Sequence, residues 1–279
     1  MLNSRNEPIW NICYWGYSGL GPGDPTCPAT DPNADIDPRP AYPVYQLSGW
    51  QLSGWQRGCK TMLTQIYEVA TPAEAEAISA IGVDHIGVLV GDGAFPRELP
   101  VQKASAIMKM IRAPSVLSAL FLSADVALIE RMAGELGPPI VHLGASSELL
   151  TPDLVGALRK SLPKTKFMRS VPVTGPEAVG VAQAYDGVVD WILLDSHRTG
   201  DVQIGAQGVT HDWSISRKIV ESVRTPVILA GGLGPDNVKE AIRSVRPAGV
   251  DSKTRTDQEG THSKNLGKVE AFYRAATSG

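Results

Sequence analysis

Two stretches in the C-terminal half carry residue types that can bind a small anion. The run Pro226 to Leu233, PVILAGGL, is apolar and β-branched, stops at Gly231-Gly232, and gives way to a helix start at Pro235-Asp236. Glycines at a strand end let backbone N–H groups come close to an anion. A second short strand, Ala248 to Asp251, leads into Lys253, Thr254 and Arg255, which add cations and hydroxyls. Two adjacent strand ends of this kind make a phosphate or carboxylate cradle. The competing reading is a tight turn followed by a solvated basic loop.

Acid and base candidates stand at other strand ends. In WILLD, Asp195 follows four apolar residues, which carries its carboxylate to the end of a buried strand. An acid there can protonate a leaving or ring oxygen, and capping a loop is its alternative role. His142, within IVHLGA, is either a packed histidine with satisfied hydrogen bonds or a proton acceptor. Tyr67 and Glu68 end the first strand, Arg97 lies in the loop after the second, and Arg169 lies in the fifth. The three cysteines, Cys13, Cys27 and Cys59, leave the body of the chain without a thiol cluster for a metal. No Gly-rich dinucleotide fingerprint follows the first strand, where the chain runs Tyr67-Glu68-Val69-Ala70-Thr71. Neither a cofactor nor a metal is expected.

Positioning these residues requires regular alternation, and the chain from residue 60 onward has it. Strand-like runs at 62–69, 85–90, 116–122, 140–143, 166–173, 191–195, 227–230 and 248–251 are each followed by a helical pattern. The helical patterns cover 71–80, 100–112, 124–136, 152–162, 176–185, 214–223, 236–245 and 264–276. Thr71, Pro72 and Glu74 have the spacing of a capping box with proline in the first turn. Eight β-then-α units predict an α/β fold, a closed (β/α)8 TIM barrel over residues 60–279, with its site at the carboxyl ends of the strands.

Residues 1–59 differ in kind. They hold eight of the 21 prolines and four of the six tryptophans, with no helical or strand period. The segment QLSGW at 46–50 is repeated at 51–55, too short a duplication for a solenoid. An irregular extension without catalytic residues is expected, whether as an accessory segment, a disordered tail or translated upstream sequence.

With 279 residues, 43% of them hydrophobic, and a net charge of -3, the chain can bury a sizeable core and carries no broad basic field. Nucleic acid is therefore not an expected partner, nor is a membrane, since no apolar run approaches the length of about 18 residues that spans a bilayer. The N-terminus lacks the pattern of a secretory signal, and the cytoplasm is the expected location.

Several ordered motifs together resemble the phosphoribosylanthranilate isomerase family. They are WILLDS, the pattern Gly205-x-x-Gly208-x-x-x-Asp212-Trp213, the run LAGGLGPDNVKEAI, and GVD followed by Lys268-Val269-x-x-Phe272. The likeness spans roughly residues 62–276. It implies a TIM barrel of tryptophan biosynthesis that converts an aminoaldose phosphate to an aminoketose phosphate by an Amadori rearrangement, without cofactor. It implies Asp195 as the acid that opens the furanose ring, Arg97 of Phe95-Pro96-Arg97 against the anthranilate carboxylate, and Gly231 and Gly232 on the phosphate. A homodimer is left open.

The chain departs from that pattern in three places. Where the family's first strand ends Lys-Ile-Cys-Gly, with the cysteine as base, this chain has Gln65-Ile66-Tyr67-Glu68. A phenol near pKa 10 would have to fall by roughly three units to serve at neutral pH. Lys253-Thr254-Arg255 replaces Ser-Ser-Gly after the eighth strand, and His142 and Gly144 occupy the places of the family's Gln and His. The expected activity is thus an isomerase with Asp195 as acid, Tyr67 or His142 taking the C2 proton, and Lys253, Thr254 and Arg255 helping to hold phosphate. Two alternatives remain open, a lyase, aldolase or epimerase on another anionic small molecule, and a barrel that binds without catalysing.

Overall fold

The computed structural model describes residues 62–196 and 211–278. The extension at residues 1–59 and the glycine pair Gly205 and Gly208 lie outside the described residues. Eight parallel strands close on themselves in chain order: β1 (Leu63–Ile66), β2 (His85–Leu89), β3 (Val116–Phe121), β4 (Ile140–Leu143), β5 (Lys166–Pro172), β6 (Trp191–Asp195), β7 (Val227–Leu229) and β8 (Gly249–Ser252). Closure is made by β1 against β8, where Gln65 stands beside Asp251. Between them run α1 (Pro72–Ile81), α2 (Val101–Met108), α3 (Val126–Leu136), α4 (Pro152–Ser161), α5 (Ala178–Ala184), α6 (Trp213–Ser222), α7 (Val238–Val245) and α8 (Leu266–Thr277). The expected α/β class, a TIM barrel, is the observed one.

The strands read as nearly continuous apolar runs because both faces are buried. Every second residue, such as Ile86, Val141, Phe167, Ile192 and Val250, faces outward and packs with the helices into one large core. The alternate residues, including Tyr67, Ile140, Met168, Trp191, Leu193 and Ile228, fill the barrel interior as a second, smaller cluster. A fully buried aliphatic side chain contributes about 1.5–3 kcal/mol, so the outer layer supplies most of the driving force.

Element ends shift by a few residues from their sequence positions for local reasons. β1 stops at Ile66, shorter than the expected 62–69, and two residues on Glu68 has a φ of 57°, which a strand does not allow. α7 begins at Val238 instead of 236, because the Asn237 side chain accepts from Gly234 N–H (2.8 Å) and donates to the Gly232 carbonyl (3.0 Å). That clasp keeps residues 232–237 as a loop over the barrel mouth. α1 is held by the anticipated capping box, with Glu74 N–H donating to Thr71 Oγ1 at 3.2 Å. Among the described residues no helix is long and apolar enough to cross a membrane.

One polar group ties three elements together below the site. The Asp190 carboxylate accepts from Phe167 N–H at 2.9 Å and pairs with Arg159 of α4 at 2.5 Å and Lys166 of β5 at 3.0 Å. Burial alone would raise its pKa, but the Phe167 amide, Lys166 and Arg159 together hold it below the ordinary aspartate value. A carboxylate whose folded pKa is depressed stabilises the fold above its unfolded pKa, and this stabilisation is lost as pH falls through the folded value. Asp190→Asn is therefore expected to lower stability by about 1–2 kcal/mol at neutral pH. Urea unfolding of both proteins should show the gap shrinking in acid, and a gap that does not change with pH would count against this account.

Candidate active site

At the carboxyl ends of the strands the side chains converge on two adjoining clefts. The first, about 260 Å³, is lined by Asp195, Gly231, Gly232, Leu233, Asp251, Ser252, Lys253, Thr254 and Arg255. The second, about 430 Å³, takes in Tyr67, Glu68, His142, Ser170, Asp195, Asp251 and Lys253 among others. Asp195, Asp251 and Lys253 stand on the border of both. A sugar phosphate needs this division, a small polar end for the anion and a larger one for the rest.

Asp195 ends β6, and Ser196 donates to its Oδ1 through its backbone N–H (2.7 Å) and its hydroxyl (3.4 Å). Burial overrides these donors and pushes its pKa up to about 7. Gly231 lies directly against it: with a φ of 84°, a Cβ there would stand 3.3 Å from Asp195 Oδ1 and 3.0 Å from Ser196 N. The glycine is needed for its backbone conformation and for the close approach.

Tyr67 turns into the barrel, and its ring fills the space above Gly87, where a Cβ would come within 2.4 Å of the ring. Its hydroxyl meets Ser118 Oγ at 2.9 Å and His142 Nδ1, while His142 Nε2 meets Ser170 Oγ at 2.6 Å. Burial, aided by the charge of Asp251, raises the Tyr67 pKa well above that of an ordinary phenol. Burial, with the nearby charges of Arg169 and His85, lowers His142 to about 3. The result is a neutral hydrogen-bonded chain, Ser118, Tyr67, His142 and Ser170. The phenol moves away from the direction a base requires.

A second group of charges lies beside this chain. Arg97 grips Glu68 with both arms of its fork, Nε to Oε2 at 2.9 Å and Nη2 to Oε1 at 3.2 Å. Lys253 Nζ lies 3.3 Å from Glu68 and 3.3 Å from Asp257, and Lys264 reaches Asp257 at 2.5 Å. Glu68 is buried, which would raise its pKa, yet Arg97 and Lys253 hold it below the usual value. Arg97 itself has a φ of 67° and lines neither cleft directly. It faces the second cleft through Glu68. Arg255 lines the first cleft and is clasped by Asp236 at 2.6 and 2.7 Å.

Asp195, Tyr67 and His142 therefore share one cleft, and Gly231, Gly232, Lys253, Thr254 and Arg255 share the other with Asp195. Sequence reasoning missed Asp251, although GVDS offers the same signal as WILLD, a carboxylate where an apolar strand ends. It also missed the grip of Glu68 on Arg97, which no local pattern encodes. His211 was missed as well. Burial lowers its pKa to about 4, and it lies close enough to Gly231 that a Cβ there would sit 2.9 Å from Nδ1.

Comparison with known proteins agrees with this geometry. A family model described as N-(5'-phosphoribosyl)anthranilate (PRA) isomerase matches residues 65–275. An N-(5'-phosphoribosyl)anthranilate isomerase from Methanocella arvoryzae is 34% identical over 209 residues, 75% of this chain and 94% of the relative. The Thermococcus kodakaraensis phosphoribosyl anthranilate isomerase structure superimposes with a TM-score of 0.63 at 26% identity, covering 78% of this chain and all (100%) of that one. A further structure, 21% identical with a TM-score of 0.62 over 78% of this chain and 99% of that one, shares the fold. It is a phosphoribosyl anthranilate isomerase in complex with reduced 1-(o-carboxyphenylamino)-1-deoxyribulose 5-phosphate. With the model matched from β1 to α8 and a relative a third identical over most of its length, this chain belongs to the N-(5'-phosphoribosyl)anthranilate isomerase family.

Proposed function

We propose that the chain catalyses the Amadori rearrangement of N-(5'-phosphoribosyl)anthranilate, an aldose to ketose isomerisation that needs no cofactor. The observation that carries this reading is a partly buried, readily protonated carboxyl, Asp195, beside a cleft lined by two glycines and the Lys253 to Arg255 turn. The phosphate enters the first cleft and the aminosugar with its aromatic ring enters the second. Asp195 donates its proton to the ring oxygen as the C1–O bond breaks, and the nitrogen lone pair forms the C1=N bond. Loss of the C2 proton then gives the enolamine, which becomes the ketose when C1 is protonated and the C2 hydroxyl gives up its proton. Tyr67 and His142, whose hydroxyl and ring nitrogens are taken up by each other, Ser118 and Ser170, act as a neutral wall against which the opened sugar packs. A soluble biosynthetic role in the cytoplasm fits this reading, and a homodimer rests on likeness to the dimeric Thermotoga maritima relative.

The substrate carboxylate falls to Arg97, but that guanidinium is already held by Glu68. Glu68 thus competes with the ligand for the same cation. Removing its charge also leaves Lys253 with one fewer anionic neighbour, so the mouth becomes more positive. Binding of the reduced aminoketose phosphate, measured by calorimetry, is expected to tighten about tenfold in Glu68→Gln, an increment of ~1.4 kcal/mol. The gain should fade as salt rises. Weaker binding would show that Glu68 holds the cations in place for the ligand.

Asp195→Asn is expected to lower kcat by about 10²–10⁴-fold while the reduced analogue still binds. Because the acid must be protonated, wild-type turnover should fall as pH rises through about 7, the value to which burial brings this group. A fluorescence assay of anthranilate derivatives across pH checks both. Full activity in the variant would remove Asp195 from the chemistry.

A further inference from the structure

Asp251 is a buried ionisable group that the reading above leaves without a task. It is 6% exposed, stands on β8 beside Gln65 of β1, and lines both clefts together with Asp195. Its Oδ1 has no hydrogen-bond partner among the described residues. Leaving a buried carboxylate oxygen unpartnered is unfavourable, so such an atom in a cleft marks a place where a ligand group belongs.

Resting on the isomerase reading, we propose that Asp251 is the base that takes the C2 proton, so that one carboxylate pair, Asp195 and Asp251, performs both proton transfers. The neighbouring groups leave this task to no better candidate. His142 has both nitrogens engaged, by Tyr67 and Ser170, and the Tyr67 hydroxyl is held between Ser118 and His142. Glu68 is committed to Arg97 and Lys253. Among the described residues lining the cleft that receives the sugar, Asp251 presents an unpartnered basic oxygen. In the step, the C2–H bond breaks and its electron pair forms C1=C2. The C1=N π pair moves to nitrogen, and the proton goes to an Asp251 oxygen, from which it is returned to C1.

The two carboxyls are electrostatically coupled, and the bound substrate decides which of them carries the proton. Burial raises the Asp251 carboxyl, and the charge of Asp195 raises it further, whereas Gln65 and the Lys264 ammonium favour its ionised form. Two carboxyls that interact in one buried site titrate as a unit. A ring oxygen accepts only from a donor, so the bound sugar selects the form with the proton on Asp195 and the charge on Asp251. Catalytic carboxylate pairs elsewhere divide acid and base work in this way.

The test uses the full chain and substrate carrying deuterium at C2. Wild-type turnover itself reports on the isomerase reading, and a folded wild type that binds the reduced analogue without turning substrate over overturns that reading and this one with it. With turnover established, Asp251→Asn is expected to lose about 10²–10⁴-fold in kcat, to bind the reduced analogue within about tenfold of wild type, and to show a raised deuterium isotope effect. Asp195→Asn should show no isotope effect, because ring opening then limits the rate. Asp251→Ala should recover activity when formate is added, a response that a merely structural carboxylate would not give. Retention of kcat within about tenfold in Asp251→Asn overturns the assignment and leaves the isomerase reading intact. So does a folded, ligand-binding Asp251→Ala that formate does not rescue, or an equal isotope-sensitive loss in Tyr67→Phe.

Discussion

The withdrawal of carboxyl groups from water at the barrel mouth is the constraint on which the rest of this site depends. A parallel barrel points every strand the same way, so whatever ends each strand is delivered to one rim. Asp195 from β6 and Asp251 from β8 arrive there together, on either side of β7 and its glycines. Among the described residues neither has a cation within ion-pair distance. Burial then raises both, which for Asp195 brings the carboxyl to about 7, a value where it can give up or take a proton with little bias.

The same rim holds carboxylates treated in the opposite way. Glu68 and Asp257 are buried like Asp251, but Arg97, Lys253 and Lys264 reach them directly. Unit charges about 4 Å apart attract by ~4 kcal/mol at an effective dielectric of about 20, enough to offset much of the desolvation penalty. Desolvation with a partner keeps the charge, and desolvation without one favours the protonated form. The two groups share Lys253 as a border, which lines both clefts while pairing with Glu68 and Asp257. The two clefts are therefore electrostatically linked, and any change at Glu68 is felt on both sides.

Much of this was legible in the sequence, and the unread part has a common cause. The eight units, the capping box at Thr71 and Glu74, the glycine pair and Asp195 are signalled by neighbours along the chain. Asp251 carried the same signal as Asp195 but was overshadowed by the cations that follow it. Glu68, Arg97 and Lys264 could not be read in the same way, since their meaning lies in partners far along the chain, Lys253 against Glu68 and Asp257 against Lys264. Even the left-handed conformations of Glu68 and Arg97 run against what their residue types suggest. Ion pairs between loops of different βα units leave no periodic trace.

Tyr67 links the architecture to the altered chemistry. An aromatic ring at the end of β1 fits only because β2 offers Gly87 beneath it, and its hydroxyl is satisfied only because β3 and β4 supply Ser118 and His142. Such a side chain consumes the space and the hydrogen bonds that a small ionisable nucleophile would have used on β1. In the mechanism proposed above, proton abstraction then comes from a neighbouring strand, and closure of the barrel makes β8 the neighbour of β1 on the side facing Asp195. Moving a base by one strand shifts it by about 5 Å, the spacing between paired strands. The flexible reach of a carboxylate, together with a sugar pivoting about its anchored phosphate, can cover that distance. A barrel accepts this exchange because its sites are built from strand ends that do not depend on one another for folding.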